Sequence, residues 1–222
     1  MPKLILLRHF KSQWNLENRF TGWTDVPICQ EGREKVPEVA EKLADMKIDV
    51  AYTSPLIRNM ESCLLVMGKR ERYPIFRHFS GKMKKWGEFS ELEKNYIPVF
   101  VSEALNERYY GDLQGLNKKE TMEKYGDEQV HLWRRGYENN PPGGESLKDV
   151  IKRVGPFQKK FIEKDLKEGK DVLVVASHNS LRALIKEIEK ISDEDIVNVE
   201  VPYAGIIEYE YREGVYKKTN SY

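Results

Sequence analysis

Cysteine is nearly absent from this chain: Cys29 and Cys63 are the only two in 222 residues. Two isolated thiols make neither a disulfide framework nor a CxxC metal spacing, and neither stands in a nucleophile motif. They read as reduced thiols of a cytosolic protein. An excess of charge of one sign is lacking too. Thirty-seven Lys+Arg against 36 Asp+Glu leave a net charge of +1. No global field therefore draws the chain toward nucleic acid or a membrane, and any cationic site must be local. No apolar run approaches the ~20 residues that span a bilayer. The apolar part of the opening Met1 to Arg8 is also too short for a secretory signal. With 33% charged residues the composition is that of a soluble, cytoplasmic protein, of a length that suits one domain with a sizeable core.

What is present starts at the N-terminus. Leu4-Ile5-Leu6-Leu7 reads as a strand buried on both faces, as in the middle of a parallel sheet. Ligands of open α/β sheets bind beyond the carboxyl ends of such strands. At this end stand Arg8, His9, Ser12 and Asn15. Arg8 can clamp an anion through two parallel N–H bonds. A neutral His9 can act as nucleophile or base, and Ser12 and Asn15 add donors without charge. A capped turn with a surface Arg-His pair is the bland alternative. The position straight after a buried strand favours an anion site.

Phe20 to Pro27 is a loop by its Gly, Pro and Asp, with Phe20 and Trp23 expected to pin it to the core. There Thr21 and Gly22 could bring backbone N–H groups close to a ligand. Helical spacing over Glu31 to Asp45 places Val36, Val39, Ala40, Leu43 and Ala44 on one face. A second strand, Asp49 to Thr53, leads into Ser54-Pro55, read as N-cap and first helical position. Arg58 then lies in a first helical turn, where its charge and the free N–H groups can serve one anion. Residues 69–101 are charge-dense and read as a partly helical surface excursion on one edge, with His78, Trp86 and Phe89 as internal packing.

Val99 to Val101 resumes ordered structure and leads to Glu107. Its carboxyl could act as acid or base, although a surface ion pair with Arg108 is the simpler reading. Asn117 caps a helix, and Trp133-Arg134-Arg135-Gly136 ends the next one. Adjacent arginines diverge by about 100° on a helix, so both reach one ligand only at a helix end or in a groove. Ser146 to Asp149 caps a long helix running to about Lys167. Val172 to Ala176 is a second buried strand, ending in Ser177-His178-Asn179-Ser180 before a helix from Leu181. This repeats the logic of the first strand and would hold His9 and His178 near one another. His131 reads as surface. Residues 206–218 form a closing hairpin around Glu213-Gly214.

Taken together, these segments resemble the histidine phosphatase superfamily, and within it the cofactor-dependent phosphoglycerate mutases. The likeness covers most of the chain outside residues 69–101. It is carried by Arg8-His9 through Asn15, Thr21-Gly22-Trp23, Thr53-Ser54 to Arg58, and Leu105-Asn106-Glu107-Arg108. Further matches are Tyr110-Gly111 to Lys118, Trp133-Arg134-Arg135, Pro142 to Leu147 and Asn179-Ser180-Leu181-Arg182. The resemblance implies an α/β, phosphoglycerate-mutase-like three-layer fold, with a mostly parallel sheet and helices on both faces. Residues 1–222 would form one domain carrying the 69–101 insertion.

The resemblance also implies roles. His9 would carry the phosphoryl group, Arg8 and Arg58 would hold it, and Glu107 would move the substrate's hydroxyl proton. Ser12, Asn15, Thr21, Gly22, Arg108, Tyr109, Tyr110, Lys118, Arg134, Arg135 and Asn179 would bind substrate, and His178 would complete the catalytic set. The implied reaction interconverts 3-phosphoglycerate and 2-phosphoglycerate, with 2,3-bisphosphoglycerate as primer and no metal. Small phosphorylated glycerates would be the partners, with no nucleic acid and no membrane; self-association is left open. Two alternatives stand beside it. One is a histidine-type phosphomonoesterase; the other is a catalytically weakened protein that binds phosphorylated metabolites.

Four departures from the family pattern matter. Phe10 replaces a Gly whose backbone would reach the phosphate, and a side chain in a Gly-only conformation costs about 1–2 kcal/mol. Ser177 falls on the second catalytic histidine and His178 on the Gly after it; successive side chains of a strand face opposite ways. Tyr203-Ala204 replaces Thr-Gly before what reads as the last parallel strand. The chain also ends soon after the hairpin, where such mutases continue with a mobile Lys-containing tail. Without that tail, water would reach the intermediate and favour hydrolysis.

Overall fold

The computed structural model describes residues 1–87 and 95–222, with the Trp86 side chain left aside. The expected packing of Trp86 and Phe89 therefore lies outside the described residues. Seven strands form one sheet: β1 (Lys3–Arg8), β2 (Val50–Thr53), β3 (Tyr73–Arg77), β4 (Tyr96–Val101), β5 (Val172–Ala176), β6 (Ile206–Arg212) and β7 (Val215–Ser221). Their order is β3-β4-β2-β5-β1-β6-β7. The first five run parallel, while β6 pairs antiparallel with β1 and with β7. The strand after Tyr203-Ala204 is thus antiparallel, not the parallel strand expected. A tight turn over Glu213 and Gly214, both at positive φ, joins β6 to β7 in the hairpin read from the sequence.

The period of two along β1 divides the core into two apolar layers. Leu4 and Leu6 face one layer with Val172, Val174, Leu147 and Leu181. Ile5 and Leu7 face the other with Leu173, Val175, Val39 and Cys63. Each fully buried Leu contributes about 1.5–3 kcal/mol relative to exposure, so a register slip of one residue would cost the whole set. Helices Leu147–Phe157 and His178–Glu189 cover the first layer; helices Val36–Ala44 and Ile57–Met67 cover the second. This is the three-layer α/β fold expected.

Local expectations fared unevenly. The helix read over Glu31 to Asp45 is two helices, Gln30–Glu34 and Val36–Ala44. Pro37, which lacks an N–H, stands in the first turn of the second, and Ala44 is exposed, not on the buried face. Ser54 is not the N-cap it was read to be. The helix begins at Ile57, whose N–H donates to Asp25 Oδ1 at 2.6 Å, so a carboxylate from the Phe20–Pro27 loop displaces the local hydroxyl. Asn117 and Ser146 do cap their helices. After Ser146 the helix holds Pro156, widens to a π-turn over Gln158–Ile162, and resumes to Lys167. The helix expected from Leu181 starts three residues earlier, at His178.

The excursion contributes two strands at one sheet edge. β4 ends in the ordered stretch expected at Val99 to Val101, whereas β3, a short strand of half-buried and exposed residues, is not apparent from the sequence. His78 is exposed and does not pack internally as expected.

Candidate active site

Register sets the site. Arg8 pairs with Ala176, and Thr53 with Val175, so the carboxyl ends of β1, β2 and β5 lie side by side. Beyond them opens a cavity of about 260 Å³ lined by both His9 and His178.

His9 is 2% exposed, and its Nδ1 lies 2.6 Å from Phe10 O. A carbonyl only accepts, so Nδ1 carries the proton and Nε2 keeps the lone pair. Burial first, then the charges of Arg58 and Arg8, push the imidazole well below its ordinary pKa. It is neutral at pH 7. Both guanidinium groups are held by main-chain carbonyls. Arg8 Nη1 donates to Val201 O at 2.6 Å, and its Cζ lies over the Tyr203 ring, 3.7 Å from the centroid. Arg58 donates to Gly22 O at 2.6 Å and Thr24 O at 3.0 Å. Carbonyl partners fix each cation without neutralising it.

Phe10 does not obstruct this end. Its backbone is not among the described non-Gly residues at positive φ, and its ring is buried in the apolar layer with Ile5 and Leu7. Its N–H donates to Ser62 Oγ at 3.0 Å. The expected strain is absent because the chain turns the side chain into the core.

Glu107 closes one wall, and it is buried, not the surface ion pair with Arg108 that the simpler reading gave. Its Oε1 accepts from Arg108 N at 2.7 Å and from Asn179 Nδ2 and N at 2.8 and 3.2 Å. Burial works to raise its pKa. Facing His178, the N–H donors of Arg108 and Asn179, and the Arg58 charge outweigh that and hold the carboxyl low, to about 2. The Arg108 guanidinium points away, donating to Trp133 O, Arg134 O and Asn179 Oδ1. It thereby satisfies carbonyls at the end of helix Asp127–Arg135 and orients Asn179. That helix end presents Arg134 and Arg135 to the cavity together, the geometry under which adjacent arginines can share a ligand. Lys118, from the neighbouring helix, is lowered to about 8 by burial and by Arg134, Arg8 and Arg135.

The second histidine resolves the Ser177-His178 order. β5 ends at Ala176 and the helix starts at His178, so these residues sit in a bend where strand alternation no longer applies. Ser177 Oγ accepts from Asn59 Nδ2 at 3.0 Å, away from the cavity, while His178 lines it. Burial first, and then Arg8 and Arg182 against the opposing pull of Glu200, lower His178 to about 4. Its Nε2 lies 3.1 Å from Glu200 Oε2, and a carboxylate accepts, so Nε2 carries the proton.

The cavity brings together Arg8, His9, Asn15, Thr21, Gly22, Arg58, Glu107, Tyr110, Lys118, Arg134, Arg135, His178 and Asn179. Ser12, Arg108 and Tyr109 do not line it. Ser12 forms a capping box with Asn15, Arg108 works from behind as described, and Tyr109 packs edge-on against Trp23 at the surface. Four lining residues were missed: Arg19, Phe20, Glu200 and Tyr203. Phe20 does pack into a core as expected, and lines the cavity as well. The substitution at Tyr203 was a signal; Glu200 gave none, since only the β1–β6 pairing brings its loop to the site. Among the described residues no group of three or more His, Cys, Asp or Glu is placed to hold a metal ion. No described helix is long and apolar enough to cross a membrane.

Comparison with known proteins agrees with this geometry. The family model of the histidine phosphatase superfamily (branch 1) matches residues 4–78 and 88–220. A 2,3-bisphosphoglycerate-dependent phosphoglycerate mutase of Gloeothece citriformis is 46% identical over 210 residues, 90% of each chain. One from Methanococcus vannielii is 47% identical over 205 residues, 91% of this chain and 87% of that one. Among solved structures, YhfR of Bacillus stearothermophilus superposes with a TM-score of 0.78 at 22% identity, covering 98% of this chain and 95% of that one. A mycobacterial glucosyl-3-phosphoglycerate phosphatase gives 0.78 at 20% identity, covering 99% and 98%. At such identities the structures speak for the fold alone.

Proposed function

Since the chain belongs to the histidine phosphatase superfamily, among relatives named as 2,3-bisphosphoglycerate-dependent phosphoglycerate mutases, we propose that it interconverts 3-phosphoglycerate and 2-phosphoglycerate through a phosphohistidine at His9. The observation that supports this most is the state of His9: neutral, with Nδ1 tied to Phe10 O and Nε2 left as the nucleophile.

The priming phosphate comes from 2,3-bisphosphoglycerate. Arg8 and Arg58, fixed by carbonyls, stabilise the equatorial oxygens as the group passes in line between Nε2 and a substrate hydroxyl. His178, from the neighbouring strand end, donates an N–H to the same group. Glu107, ionised at neutral pH, accepts the proton of the attacking hydroxyl and returns it on the reverse transfer. Lys118, Arg134 and Arg135 take the carboxylate and the second phosphate. A ligand with several negative charges explains so cationic a cavity in a chain of net charge +1.

The test is the fate of 3-phosphoglycerate with primed protein. Conversion to 2-phosphoglycerate, with little release of inorganic phosphate, is expected. Phosphate as the main product would make the chain a phosphomonoesterase instead.

A further inference from the structure

Besides Glu107, one more carboxylate lines this cationic cavity. Glu200 lies on the loop between the Asp195–Asn198 turn and β6, with its side chain 55% exposed. Its two oxygens are divided: Oε1 pairs with Arg135 Nη2, and Oε2 accepts from His178 Nε2 at 3.1 Å. Arg135 Nη1 is buried with no protein partner, so this guanidinium has an unmet donor nitrogen beside the one Glu200 occupies. Elsewhere in the cavity Arg8 and Arg58 rest on main-chain carbonyls, which a ligand cannot replace. Glu200 is different in kind: a half-exposed side chain held by two side-chain donors, whose planar carboxylate has the shape and charge of a ligand carboxylate.

We infer that Glu200 is a displaceable internal counter-anion that holds the place of the substrate's carboxylate and so selects ligands carrying a carboxylate as well as a phosphate. This rests on the mutase reading only in the identity of the ligand. A phosphoester without a carboxylate binds at His9 and leaves Glu200 on Arg135. A phosphoglycerate supplies its own carboxylate, which takes Arg135 and expels Glu200 by like-charge repulsion. Expulsion has a second consequence. In neutral His178 the single N–H is the one engaged by Glu200, so only displacement frees it to donate to the phosphoryl group. Substrate carboxylate and second histidine are thereby linked through one side chain, and ligands lacking the carboxylate leave the site unarmed.

Glu200→Gln tests this on unprimed protein by calorimetry, since without primer phosphoglycerate is bound but not turned over. Glutamine keeps the size, removes the charge, and offers one acceptor oxygen where Glu200 uses two. The expected result is about tenfold tighter binding of 3-phosphoglycerate, with glycerol 2-phosphate changed less than threefold; a factor of ten is about 1.4 kcal/mol. In the unaltered chain, the His178 ring nitrogen resonances should shift with 3-phosphoglycerate and stay in place with glycerol 2-phosphate. Equal tightening of both ligands, or 3-phosphoglycerate binding that is unchanged or weaker, overturns the Glu200 proposal and leaves the mutase reading standing. Binding of neither ligand by the unaltered chain overturns both.

Discussion

The ends of β1 and β5 start from the same plan, a histidine where a buried parallel strand gives out, and finish with opposite kinds of control. At the end of β1 the imidazole is oriented by the carbonyl of the next residue, and both neighbouring cations rest on main-chain oxygens. Main-chain oxygens hold the groups there, with the Tyr203 ring beside Arg8. At the end of β5 the imidazole opens a helix and leans on Glu200, which is half in solvent. The difference separates two requirements. A nucleophile must be the same in every encounter, whereas a donor to the transferring group needs to be available only when the right ligand is present.

Four substitutions sharpen or break that contrast. The largest effect should come from Glu107→Gln, because this carboxylate lines the cavity and is held to the β5 end by Asn179. Loss of a positioned proton acceptor is worth about 10²–10⁴-fold, so kcat should fall by that much in steady-state assays with little change in fold by circular dichroism. A loss under tenfold would remove Glu107 from the proton path. Next, His178→Ala should lower kcat by about 10²–10³-fold, the scale of one lost donor to a developing charge. Ser177→Ala should stay within about twofold, since its hydroxyl bonds to Asn59 and one hydrogen bond is worth about 1 kcal/mol of stability. Unchanged turnover in His178→Ala would end the idea that the shifted histidine serves. The smallest effect concerns the loop that carries Glu200 and Tyr203. Ala204 sits at φ +61°, a left-handed conformation costing an L-residue about 1–2 kcal/mol. Glycine relieves it but adds about 0.5–1 kcal/mol of backbone entropy. Ala204→Gly should therefore raise stability in urea by roughly 0.5 kcal/mol. A decrease would mean that the alanine methyl packs well enough to offset its own strain.

Much of this was legible in the residues, and the division between what was and was not follows chain distance. β1 and β5 announced themselves as unbroken apolar runs, and the residues just beyond them identified the site edge. Arg134 and Arg135 before Gly136 were readable as a helix end because the cap lies next to the charges. Asp25 capping the helix at Ile57 was not readable, since that carboxylate comes from another segment and outcompetes Ser54 only in three dimensions. β3 escaped because, at the sheet's edge, its Tyr73–Arg77 sequence has no need of a buried face. The strain expected at Phe10 came from carrying a glycine's conformation over to a residue that does not adopt it. A left-handed non-Gly residue does stand beside the cavity, but it is Ala204, ahead of β6, the strand next to β1 in the sheet. Glu200 had no local pattern at all; a lone acid before Val-Pro looks like any solvated loop residue.

The central claim, that a neutral His9 takes the phosphoryl group, has a direct measurement. After incubation with 2,3-bisphosphoglycerate, intact-mass and fragment spectra at neutral pH should show one added phosphoryl group, lost on acid treatment and mapping to His9. No adduct, or one that maps to His178 or any other residue, would contradict the account.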